Sequence, residues 1–304
     1  MRVLVIGFGS IGQRHTRILQ EIGCEVAVLS RRSIDFATSL RDLKIALRDF
    51  QPEYVVVANR TNEHLQTLKD LIANGFSGQL MVEKPLFHVL SKVPSNSFDK
   101  TAVAYNLRSH ILLKKLKEFL KNAGQLITAN IYVGSYLPNW RVNKDYTQSY
   151  SAKKSQGGGV LRDLSHEFDY AFWLFGSWQR LTASGGTLSD LKIDSGDAYT
   201  VIMETKYCPL VSIHMNYLDL TPRREILVNT QKHTIRVDLV KNIIAIDGVE
   251  ELISVSTDDS YRSQHQSMLA GNIGELCSLD EALDTLVTIK AVEKAALSHK
   301  WIEK

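Results

Sequence analysis

The segment GGGVLRDLSHEFDYAFWLFG, residues 157–176, combines an apolar run with side chains that can exchange protons or bind hydroxyl groups. On a helix that turns about 100° per residue, Asp163, His166, Tyr170 and Trp173 fall on one side, and leucine and phenylalanine fall on the other. A face that meets only solvent more often carries Lys and Glu. The pattern therefore predicts a helix with a core side and a side lining an active site. The alternative is a core helix with a wet side.

A second candidate for proton transfer, Lys84, follows a predicted strand in the sequence Glu83-Lys84-Pro85. General acid–base catalysis works best when the pKa of the group lies near the working pH. An unperturbed histidine titrates near about 6.5 and a lysine near about 10.4, so Lys84 needs burial or a neighbouring charge to act at neutral pH. Lys84 and His166 are thus both acid/base candidates, with Asp163 supporting them, and the sequence leaves the division of roles open. An ordinary surface lysine is the alternative for Lys84.

A glycine-rich turn, GFGSIG, follows the first predicted strand and opens a helix, which is the context of a dinucleotide-binding turn. The first glycine allows the tight turn, the second lets the backbone approach a pyrophosphate, and the third lets helix and strand pack closely. Exposed N–H groups at the helix start then hold the phosphates. The predicted cofactor contacts here are Gly7, Phe8, Gly9, Ser10, Ile11 and Gly12.

The second predicted strand ends at Leu29, and Ser30-Arg31-Arg32 follows it. An acidic residue at this point is typical of folds that bind the ribose hydroxyls of NAD. Two guanidinium groups and a hydroxyl instead suit a 2′-phosphate, because arginine binds phosphate oxygens bidentately. The sequence favours NADP over NAD; a solvated basic loop without influence on the cofactor is the alternative.

The elements that position these residues alternate between strand and helix as far as about residue 106. This alternation predicts a doubly wound parallel sheet, and thus an α/β dinucleotide-binding domain at 1–106. Beyond it, short strands with alternating polarity between 198 and 247 predict an α+β domain at 107–304, with a large open, mainly antiparallel sheet. A Ser278/Glu281 capping box predicts the start of a long final helix.

Composition narrows the class of protein. The 304 residues are 44% hydrophobic and 23% charged, and the net charge of +3 is too small to indicate nucleic acid or a membrane surface as a partner. We find neither a membrane span nor a signal peptide. Cys24, Cys208 and Cys277 lack the spacing of a metal site or disulfide frame, so we expect reduced thiols, no metal and a cytoplasmic protein.

Several motifs together resemble the Gfo/Idh/MocA oxidoreductases, in the same order along nearly the whole chain. They are GFGSIGQRH, TNEH, Glu83-Lys84-Pro85, YNLR and GGGVLRDLSHEFDY. The resemblance implies a Rossmann domain, a second domain whose open sheet commonly forms an oligomer interface, and redox chemistry on sugars, inositols or their derivatives. We therefore expect a sugar-like substrate and a homodimer or homotetramer assembled through that sheet.

The resemblance also implies roles for individual residues. Lys84 would contact the substrate hydroxyl and the nicotinamide ribose, Glu83 and Pro85 would fix the local backbone with a cis bond before Pro85, and Asp163 and His166 would enter the substrate pocket. Here the spacing between these last two is three where the family commonly has four, and Arg162 could take the place of the aspartate. Further expected cofactor contacts are Asn59, Arg60, Thr61, His64 and Asn106, with a structural role as the alternative for His64.

Candidate substrate contacts are Arg108, Trp140, Arg141 and Tyr170. Arg108 follows Asn106 in YNLR and has an interdomain salt bridge as its alternative. Trp140 and Arg141 lie in a long polar and aromatic loop before Gly157, where a ring can stack on a sugar and a guanidinium can hold an anion. An interdomain or subunit contact is the alternative for that loop.

These residues predict an NAD(P)-dependent oxidoreductase acting on CH–OH groups. It would transfer a hydride between the nicotinamide and a hydroxyl or keto carbon of a sugar, sugar nucleotide or related polyol. Two other classes stay open. One uses the nicotinamide only transiently, for elimination, epimerisation or glycoside cleavage. The other is a non-catalytic NADP-binding subunit.

Overall fold

The computed structural model describes residues 1–141 and 144–304. These residues divide into two compact units, Met1–Ser109 with Ser256–Asp284 and His110–Val255 with Thr285–Lys304.

The first unit is built on a parallel sheet with strand order β3-β2-β1-β4-β5-β6. Its strands are β1 (Arg2–Ile6), β2 (Glu25–Leu29), β3 (Ser39–Leu40), β4 (Tyr54–Val57), β5 (Gln79–Val82) and β6 (Thr101–Val103). The central strands are buried on both faces, which explains their continuous runs of Val, Ile and Leu. The strand order reverses at β1 and β4, so the carboxyl ends of these strands form the switch point where such sheets bind ligands.

Helices and turns connect these strands at both ends of the sheet. They are α1 (Ser10–Glu21), α2 (Leu43–Ile45, continued by a π-helical turn over Ala46–Phe50), α3 (His64–Ala73) and the 3₁₀ turns Thr61–Glu63 and Asn106–Ser109. α3 ends at Ala73 with Asn74 as its C-cap residue, and Gly75 adopts a positive φ of 75°.

The second unit carries a mixed sheet of strand order β14-β13-β12-β11-β7-β10-β9-β8-β15. Among the described strands, β7 and β10 pair in parallel and the other neighbours are antiparallel. Its elements up to residue 252 are α4 (Ile111–Leu120), β7 (Leu126–Gly134), α5 (Val160–Asp163), α6 (His166–Phe175), β8 (Trp178–Gly186), β9 (Ala198–Thr205), β10 (Leu210–Asn216), β11 (Arg223–Thr230), β12 (Thr234–Asp238), β13 (Ile243–Ile246) and β14 (Val249–Leu252). The prediction of an α/β fold with a parallel sheet and a mainly antiparallel sheet is confirmed.

The strand β10 shows that the two faces of this sheet differ in burial. Val211, Ile213 and Met215 are fully buried, while Ser212 and His214 alternate with them on the other face. On that second face His214 stacks on Tyr132 with ring centroids 4.9 Å apart. One face is therefore core and the other is a polar and aromatic surface.

The last elements are α7 (Asp259–Leu269), a 3₁₀ turn (Ile273–Glu275), α8 (Leu279–Ser298) and β15 (Ile302–Glu303). Met268 and Leu276 join the core of the parallel-sheet unit, and Val103 donates its N–H to the carbonyl of Cys277 at 2.8 Å. These contacts explain why residues 256–284 group with the first unit. The predicted domains were instead two continuous segments, 1–106 and 107–304.

Within the described residues, no helix is both long and apolar enough to cross a bilayer. In the same part of the chain, no group of three or more His, Cys, Asp or Glu side chains is arranged to hold a metal ion.

The predicted capping box is formed at the start of α8. The Glu281 carboxylate accepts the N–H of Ser278 at 2.8 Å, and the Ser278 hydroxyl accepts the N–H of Glu281 at 3.2 Å. We expect Ser278→Ala to lower the free energy of unfolding by about 1 kcal/mol, measured by urea denaturation, because an orphan helix N–H loses its acceptor. Ser298→Ala, at the other end of α8, is the control. Equal effects of the two substitutions would contradict a role for the cap.

Candidate active site

The glycine turn between β1 and α1 has the geometry that a pyrophosphate needs. A Cβ at Gly7, where φ is +103°, would lie 2.6 Å from the carbonyl oxygen of Ala58, and one at Gly12 would lie 2.1 Å from the carbonyl of Gly7. A Cβ at Gly9 would meet nothing within 4 Å. Gly7 and Gly12 therefore permit close packing, while Gly9 faces open space at a helix start that has no side-chain cap. The N–H groups there suit the phosphates of a dinucleotide.

The basic loop after β2 extends toward this turn and toward Glu63. Ser30 is buried, and its hydroxyl bonds the N–H and the carbonyl of Arg32, both at 3.2 Å, so it shapes the loop. Arg32 Nη2 donates to the carbonyl of Phe8 at 3.3 Å. Arg31 Nη1 lies 3.4 Å from a Glu63 carboxylate oxygen, and the Arg31 side chain is 86% exposed. The guanidinium group of Arg31 is thus well exposed next to the segment after β4.

That segment after β4 is held by its own side chains. Asn59 Nδ2 donates to the Thr67 hydroxyl at 2.9 Å, and the 3₁₀ turn beginning at Thr61 closes with the Glu63 N–H on the carbonyl of Arg60 at 2.8 Å. These contacts fix the backbone of the predicted Asn59–Thr61 cofactor segment at the carboxyl edge of the sheet.

His64 links this segment to the loop after β5. Its Nδ1 lies 3.1 Å from the carbonyl of Leu86, and its Nε2 lies 3.3 Å from the carbonyl of Asn59. Burial lowers the pKa of His64, although its backbone hydrogen bonds act in the opposite direction. Both ring nitrogens face main-chain oxygens, and the residue is almost fully buried. These contacts favour the structural alternative for His64 over a side-chain contact with the cofactor.

Lys84 lies where β5 ends, at the same edge of the sheet as the glycine turn. β5 pairs with β4, and β4 with β1, so that Val82, Val57 and Ile6 lie side by side directly before the three loops. Glu83 is buried, and one of its carboxylate oxygens accepts the N–H of Lys84 at 3.0 Å. The predicted cis bond between Lys84 and Pro85 is present.

The other carboxylate oxygen of Glu83 is hydrogen-bonded to the first of several buried side chains that form a row. Sequence reasoning missed this row. The Glu83 oxygen lies 2.8 Å from Nε2 of His15, whose Nδ1 lies 2.7 Å from His265. His265 in turn lies 3.0 Å from the hydroxyl of Tyr54. His15 stands in the GFGSIGQRH motif, but no local signal links it to a residue 250 positions away.

Asn106 and Arg108 are engaged inside the first unit. Asn106 Nδ2 donates to the hydroxyl of Ser260 at 2.7 Å. Arg108 is 2% exposed, and its Nη1 lies 3.0 Å from the Glu281 carboxylate. Partial burial alone would raise the pKa of Glu281, but the charge of Arg108 and hydrogen bonds hold it below its ordinary value. The salt-bridge alternative describes Arg108, with its partner in the same unit, so in this arrangement it is not accessible to a substrate.

The stretch 157–176 forms two helices, not the single predicted helix. α5 ends at Asp163 and α6 begins at His166, because Leu164 leaves helical geometry with φ −99° and ψ 28°. Asp163 and His166, at 8% and 9% exposure, are the residues flanking this break. The break changes the helical direction between them, so a single helical wheel does not describe which residues share a face.

Tyr170, which we predicted as a substrate contact, does not lie on an accessible face. It is fully buried, with its hydroxyl 3.4 Å from a Glu167 oxygen that also accepts a bond from Arg224 Nε at 2.8 Å. Burial and the nearby Glu167 charge raise the pKa of Tyr170 well above its ordinary value. The reason is that α6 is buried on most of its circumference, including its polar residues.

Asp163 accepts a hydrogen bond from one tyrosine and lies near a second, and the sequence singled out neither of them. The Tyr217 hydroxyl donates to an Asp163 oxygen at 2.7 Å. Burial, with the charge of Asp163 and a hydrogen bond to it, raises the pKa of Tyr150, so that Tyr150 stays a phenol donor. Ser151 lies close to both tyrosine hydroxyl groups. The bond from Tyr217 satisfies one oxygen of this buried carboxyl group, which would otherwise be costly to bury.

The loop before α5 forms a pocket of about 380 Å³ next to this cluster. It is lined by Leu137, Pro138, Trp140, Arg141, Lys144, Asp145, Tyr146, Gln148, Ser149 and Ser151. Trp140 is 37% exposed and packs edge-on to Tyr217 with centroids 5.2 Å apart. The pocket therefore joins an aromatic wall to the Asp163 cluster through Tyr217 and Ser151.

Comparisons with known proteins agree with this architecture. Residues 1–95 match the model of the oxidoreductase family with an NAD-binding Rossmann fold, and residues 114–236 match the C-terminal domain model of the GFO/IDH/MocA family. An uncharacterized oxidoreductase from Synechocystis is 28% identical over 169 residues. That match covers 50% of this chain and 42% of the relative, so less than half of the relative's length is matched.

Solved structures share the fold over the whole chain. GenD2 from gentamicin A biosynthesis, in complex with NAD, has a TM-score of 0.84 at 18% identity, covering 100% of this chain and 96% of its own. Levoglucosan dehydrogenase with NADH has a TM-score of 0.84 at 13% identity, covering 100% and 98%. A candidate NADPH-dependent oxidoreductase from Desulfitobacterium hafniense reaches 0.86 at 15% identity, covering 100% and 97%. With both family models matched, the chain belongs to the Gfo/Idh/MocA family of oxidoreductases.

Proposed function

We propose that this protein is an NAD(P)-dependent dehydrogenase or reductase acting on a hydroxyl or keto carbon of a sugar, sugar nucleotide or related polyol. The observation that carries the proposal is the open Gly9 position at the start of α1, on the same sheet edge as Lys84. This edge offers a phosphate-binding turn and a candidate proton-transfer group within one unit.

When bound, the nicotinamide accepts or donates the hydride. The N–H groups at the start of α1 would hold the phosphates, and Asn59, Arg60, Thr61 and Asn106 would contribute further cofactor contacts. A base must take the hydroxyl proton of the carbinol during oxidation, and the same group returns it during reduction. Lys84 and His166 are the candidates for this role, and Asp163 is the proposed supporting carboxylate.

NADP is the favoured cofactor. Arg31 is largely exposed, and the Arg32 guanidinium lies against the carbonyl of Phe8 in the glycine turn. Two guanidinium groups next to the adenosine end suit a 2′-phosphate. The contact of Arg31 with Glu63 is exposed and weak, so it does not keep the guanidinium from a phosphate.

The substrate side is proposed to include the pocket before α5. Trp140 supplies an exposed ring on which a sugar face can stack, and Arg141 supplies a cation for an anionic substituent. The polar and aromatic face of the second sheet is the proposed interface of a homodimer or homotetramer. Ile202 and Leu218, 38% and 36% exposed, add apolar area in that unit.

The cofactor preference can be tested by titrating the intrinsic fluorescence with NADPH and NADH. We expect the double variant Arg31→Ala, Arg32→Ala to bind NADPH about 10- to 100-fold more weakly, since charge-assisted bonds to the 2′-phosphate are lost. Affinity for NADH should change less than about threefold, because NADH lacks that phosphate. Arg48→Ala, an exposed arginine paired with Asp49, is the control. Preference of the native protein for NADH would exclude the assignment.

The glycine turn gives a matched pair of substitutions. We expect Gly9→Ala to keep native stability and to weaken cofactor binding at least about tenfold, because its methyl group enters the space for the pyrophosphate. Gly12→Ala should instead destabilise the fold, since its Cβ would lie 2.1 Å from a backbone oxygen. Thermal unfolding and cofactor titration of both variants make the measurement. Unchanged binding in Gly9→Ala would argue against a pyrophosphate at this turn.

Catalysis is tested with a panel of sugars, sugar acids and sugar nucleotides, followed by the absorbance of NADPH. We expect Lys84→Met and His166→Asn to lower the rate at least about 100-fold, the effect of losing a general acid or base. Cofactor affinity should stay within about threefold in His166→Asn. His233→Gln, in an exposed pair with Asp247, is the control. Product formation without net change in NADPH would identify transient use of the cofactor instead, and tight binding without any turnover would identify a non-catalytic subunit.

A further inference from the structure

Four buried polar side chains form a continuous row inside the first unit. The row runs from Tyr54 to His265, from His265 to His15 and from His15 to Glu83, with distances of 3.0, 2.7 and 2.8 Å between the bonded atoms. The first three residues are fully buried and Glu83 is 7% exposed. The N–H of Lys84 completes the row on the second Glu83 oxygen. Polar groups buried this deeply are destabilising unless each one is paired, so the row has to act as a unit.

The directions of the hydrogen bonds in the row depend on which ring nitrogens carry protons. Burial lowers the pKa of His265 well below its ordinary value, so its ring is neutral and carries one N–H. For a neutral His15 and an ionised Glu83, one arrangement fills every contact: Tyr54 donates to Nδ1 of His265, Nε2–H of His265 donates to Nδ1 of His15, and Nε2–H of His15 donates to Glu83. In the opposite arrangement the Tyr54 hydroxyl donates to the sulfur of Met81, 3.4 Å away, and the bond between His15 and Glu83 then needs a second proton on His15 or one on Glu83.

The four members come from four separate elements. Tyr54 begins β4, His265 lies in α7, His15 lies in α1, and Glu83 follows β5. α1 is the helix whose start carries the phosphate-binding glycine turn, and Glu83 is the neighbour of Lys84. The bond between His15 and Glu83 therefore connects the helix that receives the phosphates with the loop that carries the candidate catalytic lysine.

We propose that His15 and His265 are positioning residues, which hold the Glu83 carboxylate, and with it the main chain of Lys84, at a fixed distance from the phosphate-binding start of α1. The effect of this positioning on catalysis rests on the proposed function. The positioning of the Lys84 main chain by the row does not. Hydride and proton transfer depend on placement to within a fraction of an ångström, so a loosened row lowers the rate more than the affinity.

The first test needs neither substrate nor cofactor. Long-range ¹H–¹⁵N spectra of protein labelled with ¹⁵N-histidine report which ring nitrogen carries the proton. We expect His15 and His265 to show the Nε2–H form at neutral pH. Tyr54→Phe removes the donor that fixes His265, so the Nδ1–H form of His265 should then become populated. Tyr170→Phe, which removes a buried hydroxyl next to Glu167, is the control and should leave both signals unchanged.

The second test measures amide hydrogen exchange at Lys84. His265→Leu removes donor and acceptor at similar volume, and we expect the Lys84 N–H to exchange about tenfold faster while the N–H groups of β1 keep their protection. His265→Gln retains a donor for His15 and an acceptor for Tyr54, and should restore slow exchange. If His265→Leu does not fold, Tyr54→Phe gives the same readout, with a smaller increase expected.

The enzymatic readout separates positioning from binding. With a substrate from the sugar panel, we expect His265→Leu to lower kcat about 10- to 100-fold and to leave KM for NADPH within about threefold, with His265→Gln close to the native protein. An Nδ1–H form of His15 in the native protein, or Lys84 exchange that is the same in His265→Leu and Tyr54→Phe as in the native protein, would overturn the proposal. A native protein with the intact row that binds neither nicotinamide cofactor would refute the proposed function and leave the hold on Lys84 standing.

Discussion

The close approach of α1 to the end of β1 is the constraint on which the cofactor unit depends. The position that a Cβ of Gly12 would occupy is already filled by the carbonyl of Gly7, so helix and strand can meet at this depth only without a side chain. That depth brings the start of α1 to the switch point of the sheet, where β1 and β4 diverge in strand order. It also brings His15, one turn further along α1, within hydrogen-bonding distance of Glu83 after β5. One contact of backbone with backbone thus sets both the phosphate site and the surroundings of Lys84.

Buried carboxyl groups in both units are held by hydrogen bonds. Glu83 lies between the imidazole of His15 and the N–H of Lys84, and Asp163 accepts the hydroxyl of Tyr217. Such donors offset the cost of burying a carboxyl group. Glu167 differs, because its partner is the guanidinium group of Arg224. Glu83 precedes Lys84 directly, and Asp163 and His166 flank the same helix break, so these contacts fix the backbone next to both acid/base candidates.

Sequence alone predicted the parts of this site that local geometry controls. The glycine turn and the capping box of α8 depend on residues within a few positions of each other, and both are present. Tyr170 shares a face of α6 with His166, but that helix is buried on most of its circumference, and burial by remote elements leaves no local signal in the sequence. His265 carried no sequence signal, since its partner is remote along the chain and α7 joins the first unit only through tertiary contacts.

The elements that follow β2, on the proposed adenosine side of the first unit, are short. β3 has two residues and α2 has three, so the wall beyond β2 is largely the loop from Arg31 to Phe36. In that loop Phe36 packs against Phe8 of the glycine turn with ring centroids 5.7 Å apart, beside a cleft of about 560 Å³. A short wall offers the adenine few apolar contacts, and dispersion scales with the number of contacting atoms. Under the proposed preference for NADP, affinity for the cofactor then depends more on charge at the phosphates, which gives the two arginines after β2 a physical role.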